Sequence, residues 1–329
     1  MTFYKTSSFG NDFIEIDLRD LPAGARDSAG RKAAIPLGDK GALAHEICDR
    51  QRGVGADGVV FYCPGRQTGV PLGDRIDKEK FYFEIFNRDG GGAELSGNGM
   101  AGLAAVLFQR RLARSTLLLH AASGRRRVDL LARRGPVFEL NVEIGQPDFA
   151  NRKFFPFLKD KQDAYVIDGL EFYPVSVGNP HAVVICQGAL SPARLETLGK
   201  KLESHPMFPG RVNVEFVQWA GAENPPEGTS PVGIPPAVSA ATRPASPPEG
   251  TAALRPASCR VFFYERGVGP TLASSTGSAA VFAVLRRLGM VRERLTIDLG
   301  AEKIAVSWCQ GIFIHNFTRL VCRGNYFGL

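Results

Sequence analysis

The order of apolar and polar positions along the chain indicates many short strands and a few helices. Apolar or alternating runs of about four to eight residues, rich in Val, Ile, Phe and Tyr, are typical of strands. Such runs predict strands at 13–17, 59–62, 80–86, 137–144, 173–177, 183–186 and 313–316. Apolar segments with arginines at their ends predict buried helices at 97–111 and 277–288, and an amphipathic pattern predicts a third at 192–202.

Part of the first half of the chain recurs in the second half at a constant offset. The aligned pairs are 86–88 with 264–266, 96–99 with 274–277, and 105–107 with 283–285. Each copy has a strand, a glycine-containing loop, a serine and an apolar helix. A looser pair, 10–13 with 178–181, shares a Gly-Asn elbow beside a strand. The repeat predicts two homologous halves that face each other, with a site between them.

Length, composition and charge narrow the class of protein. A chain of 329 residues suggests two domains, or three, at roughly 100–200 residues each. Its 44% hydrophobic and 22% charged residues are typical of a globular protein. The net charge of +7 comes partly from arginines at 125–127 and 133–134, which flank a predicted hairpin strand. Because no nucleic-acid-binding motif accompanies them, we interpret them as a solvated face and expect no nucleic-acid partner.

The same composition predicts where the protein works and what it lacks. No apolar run approaches the roughly 18 residues of a membrane span, so we expect no membrane association. The N-terminal segment has no secretory pattern, and the six cysteines form neither CxxC pairs nor a compact framework. These features favour free thiols and a cytoplasmic location. The five histidines are scattered without ligand spacing, which predicts no metal site.

One segment, 221–258, differs from the rest of the chain. It contains nine prolines and hardly any large apolar residue, so it cannot bury enough surface to offset its ordering entropy. Alternating runs on either side predict strands. We therefore interpret 221–258 as a mobile insertion between two strands of one domain.

The serines that precede the two repeated helices are the first candidates for chemistry. Unpaired N–H groups and the positive dipole end make a helix N-terminus an anion site, and two such ends could hold one carboxylate. Ser96 and Ser274 would then stand on opposite sides of the bound molecule, as a two-base racemase requires. The alternative is that both serines are N-caps, which serine favours at helix starts. Spacing leaves both interpretations open, and both can hold together.

Blocks of sequence from one end of the chain to the other resemble one family. They are FGNDF at 9–13, RGVGADG at 52–58, FNRDG at 86–90, SGNG at 96–99, VGNPH at 177–181, NVEFV at 213–217, ERGVG at 265–269 and TLASSTG at 271–277. In these blocks the chain is similar to diaminopimelate epimerases, cofactor-independent enzymes that interconvert LL- and meso-2,6-diaminopimelate for lysine and peptidoglycan synthesis.

The resemblance implies an α/β (α+β) fold with two pseudo-symmetric domains. Each would be a barrel-like, mostly antiparallel sheet around a central helix, with the active site in the interdomain cleft. The first half would comprise 1–120 with a final strand at about 318–329 returning to it, and the second would comprise 121–317 with the insertion 221–258. The resemblance also implies a homodimer that uses no cofactor and has a small-molecule substrate, diaminopimelate.

The family's functional positions carry over residue by residue. His181 and Glu265 match residues that tune the two catalytic bases. The residues that match substrate contacts, at the distal end and at the reacting carboxylate, are Asn11, Asn87, Asn179, Asn213 and Arg266, and Gly97, Asn98, Ser275 and Thr276. An arginine suits the distal carboxylate because its guanidinium grips a carboxylate in bidentate fashion.

The sequence departs from the family at the catalytic bases themselves. These are cysteines in the family, in a CGNG-type and an ACGTG-type loop, whereas here they are Ser96 and Ser274. Ser275 and Ser278 also replace residues that are usually small. A serine hydroxyl is a far weaker acid than a thiol, so the change is expected to cost several orders of magnitude in rate unless something compensates. The double change fits engineered inactivation, a lineage that uses serine differently, or a paralogue that binds without epimerising.

Three hypotheses follow. The first is a diaminopimelate epimerase with Ser96 and Ser274 in the base positions, supported by the retained asparagines and arginine. The second is a non-catalytic, diaminopimelate-binding paralogue, supported by the two serines. The third is a related cofactor-free isomerase of another small acid, with Glu265, His181 or Asp12 as its base.

Overall fold

The computed structural model describes residues 1–20, 37–64, 81–121, 123–160, 162–186, 188, 191–219, 257–300 and 302–327. The interpretation of 221–258 as a mobile insertion falls outside these residues up to position 256. The described chain forms two compact units. Unit 1 comprises residues 1–145, 272–276 and 313–329, and unit 2 comprises residues 146–271 and 277–312.

Four α-helices lie in the described ranges. They are α1 (Leu37–Ile47), α2 (Gly97–Gln109), α3 (Pro192–Glu203) and α4 (Ser275–Arg287). The three predicted helices are confirmed to within about two residues at each end. The pattern did not predict α1, whose glycines and polar residues leave it without a clear apolar stripe. None of these four helices is long and apolar enough to cross a membrane.

Strands make up most of the remaining described structure, and all seven predicted strands are confirmed. In chain order they are β1 (Thr2–Ser8), β2 (Asn11–Asp17), β3 (Gly58–Pro64), β4 (Phe81–Asn87), β5 (Gly92–Ala93), β6 (Thr116–Ala121), β7 (Gly124–Arg134), β8 (Val137–Gly145), β9 (Tyr165–Ile167), β10 (Leu170–Ser176), β11 (Pro180–Cys186), β12 (Asn213–Trp219), β13 (Ser258–Glu265), β14 (Gly269–Thr271), β15 (Arg294–Asp298), β16 (Lys303–Trp308) and β17 (Ile312–Asn325). The last strand is much longer than predicted, because polar residues after position 316 interrupt its apolar pattern.

Unit 1 is a closed barrel of eight strands. Around the barrel the order is β1, β2, β3, β4, β6, β7, β8 and β17, which returns to β1. The residue register is known for seven pairs of neighbouring strands in this barrel. Of these seven pairs, only β2–β3 and β4–β6 are parallel. Helix α2 packs against β1, β2, β3, β7 and β8 and is buried over almost its whole length. The barrel is therefore filled by a helix, as the resemblance to the family implies.

Small residues let α2 approach the barrel wall. At Gly102, a Cβ atom would overlap the Glu15 carboxylate and the Thr6 hydroxyl. Glu15 is completely buried on β2, where its Oε1 accepts a hydrogen bond of 3.2 Å from Thr6 Oγ1. Its Oε2 has no hydrogen-bond partner among the described residues. Burial raises the pKa of this carboxyl well above its ordinary value, and the Thr6 hydrogen bond offsets only part of the rise.

We expect Glu15→Gln to remove a pH dependence of stability. A carboxyl with a raised pKa in the folded chain stabilises the fold fully below its unfolded pKa, near 4.5, and that contribution is lost as the pH rises through the folded pKa. The free energy of unfolding of the wild type should therefore fall relative to that of the variant by about 1.4 kcal/mol per pH unit between the two pKa values. Urea unfolding from pH 4 to pH 7.5 measures this difference.

The exposed Glu302→Gln is the matched control for this prediction. It should leave the pH profile of the wild type unchanged. If Glu15→Gln and wild type keep parallel profiles over the whole range, Glu15 is ionised in the folded protein and the expectation is wrong.

Unit 2 contains a second mixed sheet, in the order β9, β10, β11, β12, β13, β15 and β16, with β14 paired to β13. Helix α3 packs on β12 and β13. The core on this side contains Phe155, Phe157, Phe172 and Phe208, whose rings meet edge to face at centroid distances of 5.5–6.2 Å. This arrangement is the favoured one for aromatic rings.

Strand register confirms the internal repeat and extends it. Phe81 pairs with Leu119 in β4–β6, and Cys259 pairs with Ile297 in β13–β15. The second pair is equivalent to the first, because each of its residues follows its counterpart by the same offset that separates position 264 from position 86. The same offset relates the β4–β5 pairs to the β13–β14 pairs, and the β6–β7 pairs to the β15–β16 pairs. The two halves therefore share one topology from position 81 to position 129.

The arginines of strand β7 are largely exposed, in agreement with the prediction that they form a solvated face. Arg125, Arg127, Arg133 and Arg134 are exposed on this strand. Arg127 forms an ion pair with Asp129 at 2.9 Å. This ion pair neutralises the charge of one arginine of the basic face.

Candidate functional site

Ser96 is the N-cap of α2. Its backbone is extended, and its Oγ accepts a hydrogen bond of 3.1 Å from the N–H of Gly99. The N-cap interpretation is therefore confirmed for this residue. Among the described residues no carboxylate or imidazole hydrogen-bonds to Ser96 Oγ.

Ser274 directly precedes the first residue of α4, which is the N-cap position. It is buried, and its Oγ lies 3.5 Å from Thr276 Oγ1, at the outer limit of a hydrogen bond. Both serines thus stand where a hydroxyl faces the first turn of a helix. Ser274 and Thr276 belong to unit 1, together with Ser96.

The first turns of α2 and α4 contact each other within unit 1. Ser275 Oγ donates a hydrogen bond of 2.6 Å to Asn98 Oδ1, and the two residues are only 2% and 3% exposed. A Cβ atom at Gly97 would overlap the Cβ of Ser275, so this approach requires glycine at 97. First-turn N–H groups have no partners inside their own helices. Residues 97–98 and 275–276 therefore gather such groups from two helices, an arrangement that favours an anion.

The Gly-Asn elbow between β1 and β2 places an unpaired acceptor in unit 1. Gly10 has a φ of +80°, a conformation that favours glycine. Asn11 is buried, and its Oδ1 has no hydrogen-bond partner among the described residues. Leu272, which is 76% exposed, leans over the elbow, because its Cδ1 lies 2.9 Å from where a Cβ of Gly10 would be. An unpaired buried carboxamide oxygen is suited to accept from an ammonium group.

Asp12 is held by cations and does not have the environment of a proton acceptor. Its carboxylate lies 2.8 Å from Lys5 Nζ and 2.8 Å from Arg50 Nη2, and Arg50 also contacts Asp57. Burial raises the pKa of Asp12, but the hydrogen bonds from Arg50 and Lys5 outweigh it, and the pKa falls below its ordinary value. The network instead fixes the elbow next to Asn11. This counts against Asp12 as the base of a different isomerase.

Asn87 ends β4 at a tight turn in unit 1. Its carbonyl accepts from Gly90 N at 2.9 Å, and its N–H donates to Gly91 O at 2.8 Å. Gly90 has a φ of +84°, as such a turn requires. The side chain of Asn87 is half-buried.

His181 belongs to a buried polar group in unit 2. Its Nδ1 lies 2.7 Å from Glu215 Oε1, and its Nε2 lies 2.8 Å from Asn179 Oδ1. Both ring nitrogens are therefore engaged, which counts against this histidine as a free base. Sequence reasoning did not single out Glu215. Its signal was a lone carboxylate in the otherwise apolar block NVEFV.

Asn213 positions the turn that carries Arg266. Its Nδ2 donates to Pro180 O at 3.0 Å, and its Oδ1 accepts from the backbone N–H of Arg266 at 2.9 Å. Arg266 is partly buried as a residue, and its Nη1 donates an exposed hydrogen bond to Gly210 O at 3.2 Å. Asn213 thus fixes the backbone from which this guanidinium extends.

Glu265 and Glu203 both accept hydrogen bonds at the turn between β13 and β14 in unit 2. Glu265 ends β13, and its Oε1 accepts from Thr271 Oγ1 at 3.1 Å. Glu203 Oε1, another residue that sequence reasoning did not single out, accepts from the N–H of Gly267 at 3.1 Å. These bonds hold the turn between β13 and β14.

None of the cysteines replaces the missing thiols at the helix starts. All six lie outside both loops. Burial raises the pKa of the thiols of Cys48 and Cys259 to about 12, and that of Cys186 to about 11. Thiols of this kind are inert near neutral pH.

The two halves differ in what lies beneath their repeated helices. In unit 1, a Cβ at Gly99 would meet Val60 and Phe13. In unit 2, a Cβ at the equivalent Gly277 would meet Glu215 Oε1 at 2.8 Å. By strand register, Glu215 corresponds to Val60. One helix start therefore rests on apolar side chains and the other on the carboxylate bound to the imidazole.

The candidate residues fall into two sets, each held together within its own unit. Unit 1 contains Asn11, Asn87, Ser96, Gly97, Asn98, Ser274, Ser275 and Thr276. Unit 2 contains Asn179, His181, Asn213, Glu265 and Arg266. Sequence reasoning also missed Asn316 and Thr318 of β17, which lie behind Asn98. They alternate with apolar residues, which indicates only that they point inward.

Solved structures with this fold include a hydroxyproline epimerase from Agrobacterium vitis. It superposes with a TM-score of 0.59 at 14% identity, over 99% of this chain and 91% of that one. A methylitaconate-delta-isomerase gives a TM-score of 0.55 at 13% identity, over 98% and 95% of the two chains. At these identities the likeness concerns the fold, an α/β fold with a closed barrel.

Sequence comparison identifies the family. The family model for diaminopimelate epimerase matches residues 3–150 and 173–312, so the chain belongs to the diaminopimelate epimerase family. The diaminopimelate epimerase of Carboxydothermus hydrogenoformans is 28% identical over 99% of this chain and 100% of its own length. That of Alkalilimnicola ehrlichii is 31% identical over 93% and 90%. The protein is accordingly an isomerase of the epimerase class.

Proposed function

We propose that this protein binds 2,6-diaminopimelate and interconverts its LL and meso forms by two-base proton transfer, in lysine and peptidoglycan synthesis. The observation that carries the proposal is the meeting of two helix starts in unit 1, each preceded by a serine in the base position. The family resemblance further supports a cofactor-independent reaction, a cytoplasmic location and a homodimer.

The helix starts supply the electrostatic part of the reaction. Removing the α-proton moves negative charge onto the adjacent carboxylate. First-turn N–H groups of residues 97–98 and 275–276 favour that charge without reorganising. One serine Oγ, as the alkoxide, takes the proton from the α-carbon and becomes a hydroxyl. The other serine hydroxyl delivers its own proton to the opposite face and becomes the alkoxide. One C–H bond is broken and one is formed, so no other reactant is consumed.

The carried-over contacts at the other end of the substrate support the same proposal. Arg266 would pair with the distal carboxylate through its guanidinium. Asn11 would accept from an ammonium group through its unpaired Oδ1. His181 and Glu265 would act on the two bases, as their counterparts do in the family.

The second candidate is a protein that binds diaminopimelate without epimerising it. Its support is the chemistry of Ser96, whose Oγ already accepts the Gly99 N–H as an N-cap. An alkoxide needs a strong adjacent base, and no described carboxylate or imidazole hydrogen-bonds to this oxygen.

Proton exchange separates the two candidates. The protein is incubated with LL-diaminopimelate in D2O, and NMR follows the α-proton signal and the appearance of the meso isomer. We expect slow loss of the α-proton together with meso product, and Ser96→Ala and Ser274→Ala then assign the two faces. Line broadening of the ligand without exchange would support the binder. Neither binding nor exchange would contradict diaminopimelate as the ligand.

A further inference from the structure

One pair of buried side chains is apolar in the first half of the chain and polar in the second. In unit 1 the pair is Phe13 and Val60, on the neighbouring parallel strands β2 and β3, and a Cβ atom at Gly99 would meet both side chains. In unit 2 the equivalent pair is His181 and Glu215, on the neighbouring parallel strands β11 and β12. The same place in the repeated topology is therefore filled in two chemically different ways.

The equivalence of the two pairs follows from sequence and strand register. Phe13 and His181 each lie two positions after the asparagine of a Gly-Asn elbow. Val60 and Glu215 each lie two positions beyond the residue that pairs with that aromatic ring's residue on the next strand. Each polar residue of unit 2 thus has its own apolar counterpart in unit 1.

The fold does not require polar side chains at this place, because unit 1 fills it with a phenylalanine and a valine. Burying an imidazole and a carboxyl costs desolvation energy that a packed apolar pair avoids. His181 is 0% exposed and Glu215 is 1% exposed. Among the described residues Glu215 Oε2 has no hydrogen-bond partner. A pair that is costly to bury and unnecessary for packing indicates a role in the site.

The contacts of His181 show what Glu215 does to the ring. Nδ1 lies 2.7 Å from Glu215 Oε1, and Nε2 lies 2.8 Å from Asn179 Oδ1. Because an amide oxygen only accepts hydrogen bonds, Nε2 must carry a hydrogen. The proton between Nδ1 and Oε1 binds the other side of the ring to Glu215. The carboxyl therefore fixes both the plane of the ring and the hydrogen on Nε2.

We propose that Glu215 is a positioning residue that acts through His181, by holding the ring as a hydrogen-bond donor at Nε2. The hydrogen bond made by one ring nitrogen of a histidine sets the state of the other nitrogen. Glu215 also lies under the first turn of α4, because a Cβ atom at Gly277 would be 2.8 Å from its Oε1. The effect on proton transfer rests on the proposed function, in which His181 acts on the bases, whereas the orientation of the ring does not.

The first test observes the ring in the 15N-labelled protein without ligand, by long-range 1H–15N correlation at pH 7.5. The signals of His181 are assigned by their loss in His181→Phe. We expect a hydrogen on Nε2 and one set of ring signals in the wild type. Glu215→Val should shift and broaden these signals, whereas Glu215→Gln should preserve them, because a carboxamide can still bond to Nδ1. An Nε2 without a hydrogen, or unchanged signals in Glu215→Val, would overturn the inference.

The second test measures exchange of the α-proton of LL-diaminopimelate in D2O. Loss of a partner that orients a histidine typically costs about tenfold to a hundredfold in activity. Glu215→Val should therefore lower kcat by about tenfold or more, with KM within about twofold of the wild type. Glu215→Gln should recover most of the rate. An unchanged kcat in Glu215→Val would contradict the positioning role.

The double variant His181→Phe/Glu215→Val gives unit 2 the apolar pair of unit 1. Because it leaves no buried imidazole without a partner, it should unfold at a higher urea concentration than Glu215→Val alone. Its kcat should be at least as low as that of Glu215→Val. Unfolding at a lower urea concentration than Glu215→Val would mean that packing needs the polar pair, and would count against a role in the site.

Glu15→Val is the matched control. Glu15 is the fully buried carboxyl of unit 1, and like Glu215 it has one bonded oxygen and one oxygen without a partner among the described residues. This variant should leave the ring signals of His181 and the value of kcat unchanged. Equal losses of kcat in Glu15→Val and Glu215→Val would overturn the inference, because any buried carboxyl would then have the same effect.

The two readouts separate this inference from the proposed function. If the wild type does not exchange the α-proton of LL-diaminopimelate, the proposed reaction fails, and the ring signals of His181 still decide whether Glu215 holds the ring. If the wild type exchanges the proton and Glu215→Val exchanges it equally fast, the inference fails and the proposed function stands.

Discussion

The double variant Ser96→Cys/Ser274→Cys is expected to exchange the α-proton of LL-diaminopimelate about 10²–10⁴ times faster than the wild type. A thiol has an ordinary pKa near 8.5, and a helix start lowers it further, so a thiolate is populated near neutral pH. A serine alkoxide is scarcely populated at that pH, because a serine hydroxyl is a far weaker acid. Both residues already stand at helix starts whose first turns touch through Ser275 and Asn98. The rate is measured by NMR in D2O.

The two single variants show how much of the gain in exchange rate comes from the base on each face of the α-carbon. Ser96→Cys and Ser274→Cys should each recover only part of the rate, because the reaction needs an acid and a base on opposite sides of the α-carbon. Ser278→Cys is the matched control, with a buried thiol placed further along α4, and should leave the rate unchanged. If the double variant folds, binds LL-diaminopimelate and still exchanges no faster than the wild type, the assignment of the two base positions is wrong.

Replacing Arg266 by Met is expected to abolish binding of LL-diaminopimelate, with a rise in Kd of about a hundredfold or more. A bidentate guanidinium–carboxylate pair contributes several kcal/mol when it is shielded from water, and methionine retains the length of the side chain without its donors. The backbone of Arg266 is fixed by Asn213, so the substitution should leave the turn in place. Isothermal titration calorimetry measures the affinity.

Arg260→Met in β13 is the matched control for this second variant. Arg260 is an exposed arginine of the same unit, 4.0 Å from Asp298, and its loss should leave the Kd unchanged. Unaltered affinity in Arg266→Met would contradict the proposed pose of the distal carboxylate. An equal loss in both variants would point to a general effect of positive charge.

Much of the fold could be predicted because two kinds of signal agreed. Apolar runs indicated the strands and the helices α2, α3 and α4, and the constant offset between the repeated segments indicated the common topology of the halves. Helix α1 and the second half of β17 could not be predicted in this way. In β17, residues such as Thr318 point into the barrel as polar groups, so the alternation of apolar and polar positions fails where the structure needs buried hydrogen bonds.

The candidate site was predictable only where a motif marked it. Ser96 and Ser274 follow from the repeat, and the asparagines and Arg266 follow from the family pattern. Glu215 and Asn316 could not be found, because their roles depend on strand register. Glu215 reaches His181 because β11 and β12 pair in parallel, and Asn316 reaches Asn98 because the chain returns to the first barrel at its end.

The long stretch of chain between β8 and β17 has a consequence for synthesis on the ribosome. The barrel of unit 1 closes only when β17 pairs with β1 and β8, which are complete at Ser8 and Gly145, whereas β17 begins at Ile312. Until β17 is translated, the edges of β1 and β8 remain open to unwanted pairing. The anchor for Asn98 arrives with the same strand. A nascent chain therefore acquires the support for its anion site at the moment its barrel closes.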